Sequence, residues 1–375
     1  MIESVNRVLV SRSALAHNFA LCSRASGNAP VMAMVKADAY GHGMLECARV
    51  FSSCGAAAFG VAEVVEGVRL RQANIKEEIF ILAGLLPEFA ETILQYQLTP
   101  VLVDTHSLEA LDRAARNHGC TLNVHLKMDA GMGRQGILPV DFSGVVQEIR
   151  QKKNLNLAGI MAHFPMADDP DSGSTARILV EFLAVNRSSF SHDSDGLCLH
   201  IANSGGIFSV SDAALDMVRP GISLYGYGAA PVTQSSSGLE QELRPAMSFV
   251  SRVIQVRTVP AETGLGYGHS FVTRRRTRLA VLPAGYEDGY LRSLSNRGRI
   301  LIRGRRAPVV GRVSMNLTLV DITDVPGVET GDEAVLLGHQ GREFISADEI
   351  AAWMGTISYE VLCLFGHCNR IEYVE

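Results

Sequence analysis

Eight short apolar runs of strand-forming composition recur in the first 230 residues, and their spacing constrains the possible fold more than any other feature of the sequence. Most gaps between the runs hold a stretch with helical periodicity, such as residues 63–72 and 107–118. Strands that alternate with helices predict βα units around a parallel sheet. The predicted strands are residues 31–35, 57–61, 79–82, 100–103, 122–126, 157–161, 197–201 and 216–218.

Eight such units within about 200 residues are typical of a (β/α)8 TIM-type barrel. A doubly wound sheet is the alternative, because periodicity alone does not distinguish a closed sheet from an open one. We therefore expect an α/β protein in which residues 1–230 form the barrel domain, with residues 1–10 available to pair with the second domain.

The character of the sequence changes near residue 230. Residues 229–238 form a short linker rich in Ala, Ser and Gly, and strand-like runs separated by Gly, Pro and Asp follow it. This pattern predicts a mostly β C-terminal domain over residues 231–375. One helix is expected there, at 346–354, with Ser346 as the N-cap and Glu349 completing a capping box. The strand-like runs are 249–257, 278–282, 300–302, 308–310, 317–322 and 333–337.

Composition argues against several classes of protein. The chain has 375 residues, a net charge of −5 and a pI near 6.1, so nucleic acid is not an expected partner. No apolar run reaches membrane-spanning length, and the N-terminus lacks the apolar core of a signal peptide, so no membrane association is expected. The seven cysteines include no C-x-x-C pair, which argues against a disulfide framework and a structural zinc site. We expect a cytoplasmic protein without a metal.

Reactive side chains follow the predicted barrel strands. In barrels of this type, chemistry takes place at the carboxyl ends of the strands. Lys36 follows the first run and is a candidate nucleophile if burial favours its neutral amine, although a lysine at a strand end can also extend into solvent. The other residues in equivalent positions are Lys127, Asp129, His163, Asn203, Ser204 and Arg219.

Two glycine-containing segments, 203–206 and 219–222, follow the last two predicted strands. Backbone N–H groups, a serine hydroxyl and glycines form an anion site at a place where barrels often bind phosphate. Together with Lys36, this site favours pyridoxal 5′-phosphate, which needs a lysine for its aldehyde and an anion site for its phosphate. The G-x-G-x-x-G match at 131–136 is not expected to bind a dinucleotide, because no acidic residue ends the next strand.

The chain resembles the alanine racemase family over almost its whole length. The segment V-K-A-D-A-Y-G-H-G at 35–43 is similar to the family's cofactor-lysine signature, and K-M-D-A-G-M-G-R at 127–134 is similar to its substrate-arginine segment. Asn316 is a departure, since many members have Asp after the Ser/Cys-Met pair. Further matches are 162–164, 200–204, 219–222, 266–268, 285–289, 314–316 and 358–361.

The resemblance implies a two-base interconversion of L-alanine and D-alanine, which supplies D-alanine for bacterial cell-wall peptidoglycan. Lys36 would hold pyridoxal 5′-phosphate as a Schiff base and then serve one face of the substrate Cα. Tyr267 would serve the opposite face. In the family's assignment, Lys36 takes the proton from D-alanine and Tyr267 takes it from L-alanine.

The resemblance also assigns cofactor-binding residues. Arg219 would donate to the pyridine nitrogen and would itself be braced by His200. His163 would act with Arg219 as a relay and a source of positive field. Residues that would hold the phosphate or complete its loop are Tyr40, Asn203, Ser204, Gly221, Ile222 and Tyr359.

The remaining implied residues concern substrate and partner. Arg134 would meet the cofactor phenolate oxygen and the substrate carboxylate, steadied by Lys127, which corresponds to a lysine that is often carbamylated. Met315 would line the substrate site from the partner subunit. Family members are head-to-tail homodimers, so Tyr267 would act on the site of the other chain.

Two other functions remain open at the level of sequence. A serine or broad-specificity amino-acid racemase would share the same motifs. A non-enzymatic pyridoxal-phosphate carrier would use the barrel alone, and the additional β domain with Tyr267 argues against it.

Overall fold

The computed structural model describes residues 4–167, 169, 173–190, 196–229 and 238–375, so most of the predicted linker lies outside the described residues. The described strands are β1 (Arg7–Ser11), β2 (Met32–Met34), β3 (Ala58–Val61), β4 (Glu78–Ile81), β5 (Thr99–Leu102), β6 (Leu122–Lys127), β7 (Leu155–Met161), β8 (Cys198–His200), β9 (Met247–Arg252), β10 (Gln255–Val259), β11 (Gly264–Leu265), β12 (Phe271–Val272), β13 (Thr277–Leu282), β14 (Arg299–Ile302), β15 (Arg305–Pro308), β16 (Thr318–Asp321), β17 (Glu333–Gln340), β18 (Glu343–Ile345) and β19 (Ile371–Val374). The right-handed α-helices are Arg12–Ala25, Met44–Ser53, Val64–Gln72, Ala90–Gln95, Leu108–Asn117, Phe142–Arg150, Ser174–Ser189, Ser204–Ser209, Ala347–Met354 and Ser358–Cys368.

Contacts divide the chain into two compact units. The barrel unit consists of residues 15–39 and 44–244, and the β unit consists of residues 1–14, 40–43 and 245–375. The short segment 40–43 therefore belongs to the β unit, although its chain neighbours on both sides are barrel residues.

In the barrel unit, β2 to β8 form one parallel sheet whose spatial order follows the sequence. A parallel bridge between Val31 and Val218 closes the sheet. In this bridge, Met32 donates its N–H to the Val218 carbonyl, and Val218 donates to the Pro30 carbonyl, each at 2.9 Å. The predicted (β/α)8 barrel followed by a mostly β domain is confirmed, and closure excludes the doubly wound alternative.

The eighth barrel strand is shorter than the predicted run 216–218. Of that run, Val218 alone forms a strand-type bridge. Asp216 instead bonds to β8 through both its backbone and its carboxylate, which accepts the Leu199 N–H at 2.8 Å. Pro220 follows and has no N–H to donate, so it takes part in the ladder only through its carbonyl, which accepts the Met34 N–H at 3.1 Å.

The positions predicted from helical periodicity agree closely with two helices of the barrel unit. The stretch 107–118 forms the helix Leu108–Asn117, and its buried side chains Leu108, Leu111 and Ala114 recur every three residues along one face. The stretch 63–72 forms Val64–Gln72. Among the helices that the structure describes, none combines the length and apolarity that a membrane crossing requires.

The β unit contains a large sheet in the order β15-β14-β17-β9-β1-β19, with β18 beside β17, and a second sheet in the order β10-β13-β16. The N-terminal strand β1 pairs antiparallel with β9 and parallel with β19. The predicted run 249–257 is not one strand, because the chain changes sheets at Val253 and Ile254, between β9 and β10.

Helix content in the β unit exceeds the prediction. The helix at 346–354 is present, and the Ser346 hydroxyl accepts the Glu349 N–H at 3.0 Å. The other half of the predicted capping box is replaced, since the Glu349 carboxylate binds Arg306. A second helix, Ser358–Cys368, was missed because its N-cap, Ile357, has no side-chain acceptor and its apolar run resembles a strand.

Candidate active site

Lys36 follows β2 and begins a left-handed turn. The next residues, Ala37, Asp38, Ala39 and Tyr40, have φ values of 53°, 51°, 57° and 55°. Each non-glycine residue in this conformation costs roughly 1–2 kcal/mol, so a run of them is unusual. Side chains hold the turn: the Glu66 carboxylate accepts the Ala37 N–H at 2.7 Å, and the Asp38 carboxylate accepts the Met44 N–H at 2.9 Å. Such strain at a strand end marks a functional position.

Arg219 is the most deeply buried cation of the barrel unit's strand ends. It is 3 % exposed, and no carboxylate that the structure describes forms an ion pair with it. Its guanidinium donates to His200 Nδ1 at 2.9 Å and to the carbonyls of Ala162 and Ile201 at 2.6 and 3.1 Å. Burial lowers the pKa of Arg219 to about 9, with the Cys198 thiol acting in the opposite direction. The interior of the barrel unit therefore holds a positive charge whose described hydrogen-bond acceptors are all neutral.

His125 is a site residue that sequence reasoning missed. It lies in the middle of β6, and its Nδ1 is 2.8 Å from His200 Nε2. Burial, with Arg219 as the second cause, lowers the pKa of His125 to about 4. Burial and the same arginine hold the pKa of His200 well below its usual range. The signal in the sequence was a histidine inside an otherwise apolar run, two residues before Lys127 and thus on the same side of the strand.

Lys127 ends β6 and is 5 % exposed. Its Nζ donates to Gln135 Oε1 at 2.8 Å, and the Gln135 amide donates to the Ala83 carbonyl at 2.9 Å. Burial lowers the pKa of Lys127 to about 8, and the positive charges of Arg134, Arg219 and Lys36 act in the same direction. Gln135 was also missed, because an isolated glutamine in a glycine-rich loop carries no pattern.

The loop before the exposed Arg134 is ordered by one carboxylate. Asp129 Oδ1 accepts the N–H groups of Gly131, Met132 and Gly133 at 3.0, 3.0 and 3.1 Å. The predicted role of Asp129 at a strand end is therefore conformational: it fixes the path of the backbone that presents Arg134.

The predicted anion site is built around Ser204. Its hydroxyl accepts the N–H groups of Gly221 and Ser223 at 2.9 and 3.3 Å. Asn203 caps the following turn by accepting the Gly206 N–H at 3.0 Å. The Ser223 hydroxyl is buried without a hydrogen-bond partner in the described structure. Serine hydroxyls and backbone donors thus converge where Ile222 begins a short 3₁₀ turn.

His163 follows β7 and lies beside Asn203, with 3.4 Å between His163 Nε2 and Asn203 Nδ2. Burial lowers the pKa of His163 to about 3, and the positive charges of Arg219, Lys36, Lys127 and Arg134 act in the same direction. The barrel unit thus brings the predicted cationic residues and His163 into one electrostatic neighbourhood.

Tyr267 lies in the β unit, at the tip of the β11–β12 hairpin. It is 70 % exposed and stands between Gly266 and Gly268, which both have positive φ. A side chain at Gly266 would collide with the Arg312 backbone N at 2.9 Å, so the tight turn requires glycine there. The predicted presentation of Tyr267 on a loop tip matches this geometry.

Met315 lies on an exposed loop of the same unit. The carbonyls of Ser314 and Met315 accept the N–H groups of Tyr286 and Glu287 at 3.1 and 3.0 Å, which joins two of the predicted family motifs. Beside them, the Asn316 amide donates to the Glu287 carboxylate. The amide at position 316 therefore supplies a donor where an aspartate would place a second negative charge.

Tyr40 and Tyr359 are neighbours within the β unit, with ring centroids 5.9 Å apart. Burial holds the pKa of Tyr40 well above its usual range, with Tyr359 and Cys363 adding to the effect. Tyr40 therefore keeps its phenolic proton. The placement of Tyr40, Tyr359, Tyr267 and Met315 against the barrel residues stays a prediction.

The barrel unit combines a closed parallel sheet with a strand-end lysine, a serine–glycine anion site and a buried arginine that has no counter-ion among the described residues. These features define a class: barrel enzymes that use pyridoxal phosphate. Family models described as alanine racemase, N-terminal domain, and alanine racemase, C-terminal domain, match residues 10–229 and 246–373. The chain belongs to the alanine racemase family. Its activity is the pyridoxal-phosphate-dependent racemisation of alanine, an isomerase reaction.

Individual relatives agree with this assignment. The chain is 40 % identical over 372 residues to the alanine racemase of Syntrophobacter fumaroxidans, covering 97 % of this chain and 96 % of that protein. The structure of alanine racemase from the D-cycloserine-producing Streptomyces lavendulae matches with a TM-score of 0.94 at 31 % identity, over 100 % of this chain and 98 % of that one. The Bartonella henselae alanine racemase, solved with covalently bound pyridoxal phosphate, matches with a TM-score of 0.89 at 26 % identity, over 99 % and 100 % of the two chains.

Proposed function

We propose that this chain racemises alanine with Lys36 and Tyr267 as the two bases, and that its site is built on the buried cation Arg219. The supporting observation is the isolation of that charge: Arg219 is almost completely buried, and no described carboxylate compensates it. An unpaired buried charge is costly, so a ligand with an acceptor atom would fit beside it.

The residues present fit pyridoxal 5′-phosphate. A pyridine nitrogen is a neutral acceptor, which suits a guanidinium that can only donate. The Ser204 and Ser223 hydroxyls and the backbone N–H of Ile222 suit phosphate oxygens, and the Gly221 N–H holds the Ser204 hydroxyl in place. When bound, the cofactor supplies an aldehyde that bonds to amines and an electron sink for negative charge at the substrate Cα.

Around this group, we assign the remaining cofactor contacts to Lys36, Tyr40, Tyr359 and Asn203. Lys36 holds the cofactor through its Nζ. Tyr40 and Tyr359 donate phenolic protons to the phosphate, and Asn203 fixes the loop that carries Ser204. His163, kept neutral by burial and four cations, acts as an uncharged relay between the base and Arg219.

Proton transfer then takes place on the two faces of the substrate Cα. Lys36, as a neutral amine, takes the proton from D-alanine, and Tyr267, as a phenolate, takes it from L-alanine. Removal on one face and return on the other inverts the centre. The exposure of Tyr267 on its hairpin tip supports a role in the site of a second chain.

Arg134 binds the substrate carboxylate in this proposal, and Lys127 steadies it. With a pKa of about 8, Lys127 carries a substantial neutral fraction at physiological pH. A neutral amine can react with carbon dioxide to give a carbamate and a proton. The resulting anion would lie among the positive charges that now disfavour the ammonium form.

A homodimer completes the proposal. Its support is a group of exposed apolar side chains on the β unit: Tyr267, Tyr286, Met315 and Leu317 are 70, 38, 53 and 43 % exposed. Met315 would line the substrate site of the partner. We further propose cytoplasmic supply of D-alanine for peptidoglycan; an odd number of cysteines without a C-x-x-C pair supports a reducing compartment. The proposed domain bounds are 1–230 and 231–375, with residues 1–10 pairing with the second domain, as the pairing of β1 with β9 and β19 supports.

The deciding experiment is subunit complementation. An inactive Lys36→Ala chain mixed with an inactive Tyr267→Phe chain should regain alanine racemase activity on subunit exchange, because one of the two sites in each mixed dimer is intact. Verified mixed dimers without activity would count against the shared site. Comparing kcat/KM for alanine, serine and lysine tests whether alanine is the preferred substrate.

A further inference from the structure

Two hydrogen bonds join three buried side chains in a row: Arg219, His200 and His125. Arg219 contacts His200 Nδ1 at 2.9 Å, and His200 Nε2 contacts His125 Nδ1 at 2.8 Å. The three side chains are 3, 0 and 3 % exposed, in the order Arg219, His200, His125. Water therefore has little access to substitute for any of these contacts.

The direction of each bond follows from the chemistry of the first donor. A guanidinium can only donate, so His200 Nδ1 must accept, and the His200 proton resides on Nε2. His200 Nε2–H then donates to His125, whose Nδ1 must accept. Both imidazoles are neutral in this arrangement, because a proton on His200 Nδ1 would face an N–H of Arg219.

This hydrogen-bond pattern leaves the positive charge of Arg219 without a compensating negative charge among the described residues. A carboxylate in the place of His200 would pair with the guanidinium and cancel its field, whereas a neutral imidazole orients the guanidinium and leaves the charge. His200 can play this part only while an acceptor holds its Nε2–H. Without one, its donor is buried and unsatisfied, which favours rotation of the imidazole ring away from its contact with the guanidinium.

We propose that His125 is a positioning residue for the racemase reaction: its Nδ1 accepts the His200 Nε2–H, holds that ring in place and thereby fixes the orientation of the Arg219 guanidinium. The inference rests on the proposed role of Arg219 toward the cofactor ring nitrogen. His125 touches neither substrate nor cofactor in this scheme and acts through His200.

Packing at the same position has to be separated from hydrogen bonding. The His125 ring lies edge-on to Phe80, with centroids 4.9 Å apart. A side chain at Gly159 would come within 2.3 Å of His125 Cε1, so the ring fills its space closely. Two replacements of similar size separate the effects: in His125→Asn, Oδ1 can occupy the place of Nδ1 as an acceptor, and His125→Leu has no acceptor.

The first measurement needs no variant at the tested position. Nitrogen-15 NMR of the histidine-labelled full-length protein, with and without pyridoxal phosphate, should show His200 protonated at Nε2 and unprotonated at Nδ1, the resonance being assigned with His200→Gln. A His200 protonated at Nδ1 in the unaltered protein overturns the proposal. Because this readout does not depend on turnover, it is distinct from a failure of the assigned reaction.

The second measurement compares the variants after thermal unfolding has shown that both fold. His125→Leu should shift the His200 nitrogen resonances, because the ring is no longer held at Nε2, and should reduce kcat by roughly tenfold, the size expected for one unsatisfied buried donor, with KM for alanine changed less. His125→Asn should keep these resonances close to those of the unaltered protein and retain kcat within about threefold. Equal losses in the two variants would assign the effect to ring packing, and unchanged His200 resonances and kcat in His125→Leu would also reject the proposal.

Discussion

The barrel unit and the β unit present their site residues in opposite ways. Arg219, His200 and Lys127 are buried and bonded to partners within their own unit, and the charge of Arg219 adds to burial in lowering the pKa of the other two. Tyr267 and Met315 are mostly exposed on loops. Groups that set the electrostatics are thus organised by the barrel itself, whereas the two residues that we propose to act on the site of a second chain stand on exposed loops.

The largest expected effect is a loss of racemisation, and the absorbance of the bound cofactor distinguishes the roles of the two proposed bases. Lys36→Ala removes both a base and the amine that holds the cofactor, so racemisation should fall by about three orders of magnitude or more in both directions, with loss of the visible absorbance of the bound cofactor. Tyr267→Phe should also lose racemisation but keep that absorbance. A Tyr267→Phe protein that is colourless would show that the tyrosine supports cofactor binding rather than proton transfer.

Lys127 should make the free energy of unfolding depend on pH in the alkaline range. Its pKa is about 8 when folded, below its ordinary value of 10.5, so the unfolded chain binds more protons between these pH values. Stability should therefore rise as the pH increases from about 8 to about 10.5, by up to about 3 kcal/mol. Urea unfolding across this range should show the rise, and Lys127→Met should flatten it. The matched control is Lys153→Met, an exposed lysine whose removal should leave the pH slope in place.

Gly159→Ala tests the close packing behind Arg219. The added Cβ would lie 2.3 Å from His125 and 2.5 Å from the Cys198 carbonyl oxygen, so a backbone or ring shift is required. We expect a loss of about 1–3 kcal/mol in the free energy of unfolding, measured by urea titration. Gly144→Ala, in an exposed part of the helix Phe142–Arg150 with nothing near its Cβ, should instead stabilise slightly. Equal effects at the two positions would contradict the packing argument.

The smallest expected effect is a change in stability from a substitution on an exposed loop of the β unit. Asn316→Asp replaces the donor to Glu287 with a second carboxylate. Both side chains are exposed, so the loss of stability at neutral pH should be a few tenths of a kcal/mol and should shrink at high salt. A loss above about 1 kcal/mol would mean that this contact is far less screened than its exposure indicates.

The barrel was predictable from sequence because eight apolar runs and intervening helical stretches leave few arrangements for a parallel sheet. Its last strand was overestimated, since apolar content does not reveal that Val218 alone of the run 216–218 forms a strand-type bridge. Residues 358–368 were missed as a helix because an apolar run without a polar N-cap does not distinguish helix from strand.

The candidate site likewise contains residues that the sequence predicts and residues that it does not. Residues such as Lys36 and Arg219 follow apolar runs directly, and this position identifies them. His125 and Gln135 were missed because their roles depend on partners 75 and eight residues away in the chain. Hydrogen-bond partners at that separation are set by strand register, which the sequence does not state.

The turn after Lys36 has one more consequence, for the handedness of the chain itself. Four successive L-residues there adopt the backbone conformation that is natural for D-residues. At Ala37, whose side chain is exposed, a D-alanine introduced by chemical ligation would fit the backbone without the steric cost that the natural residue bears. An enzyme that equilibrates the mirror forms of alanine thus carries, beside its reactive lysine, a position where the D form is the better building block.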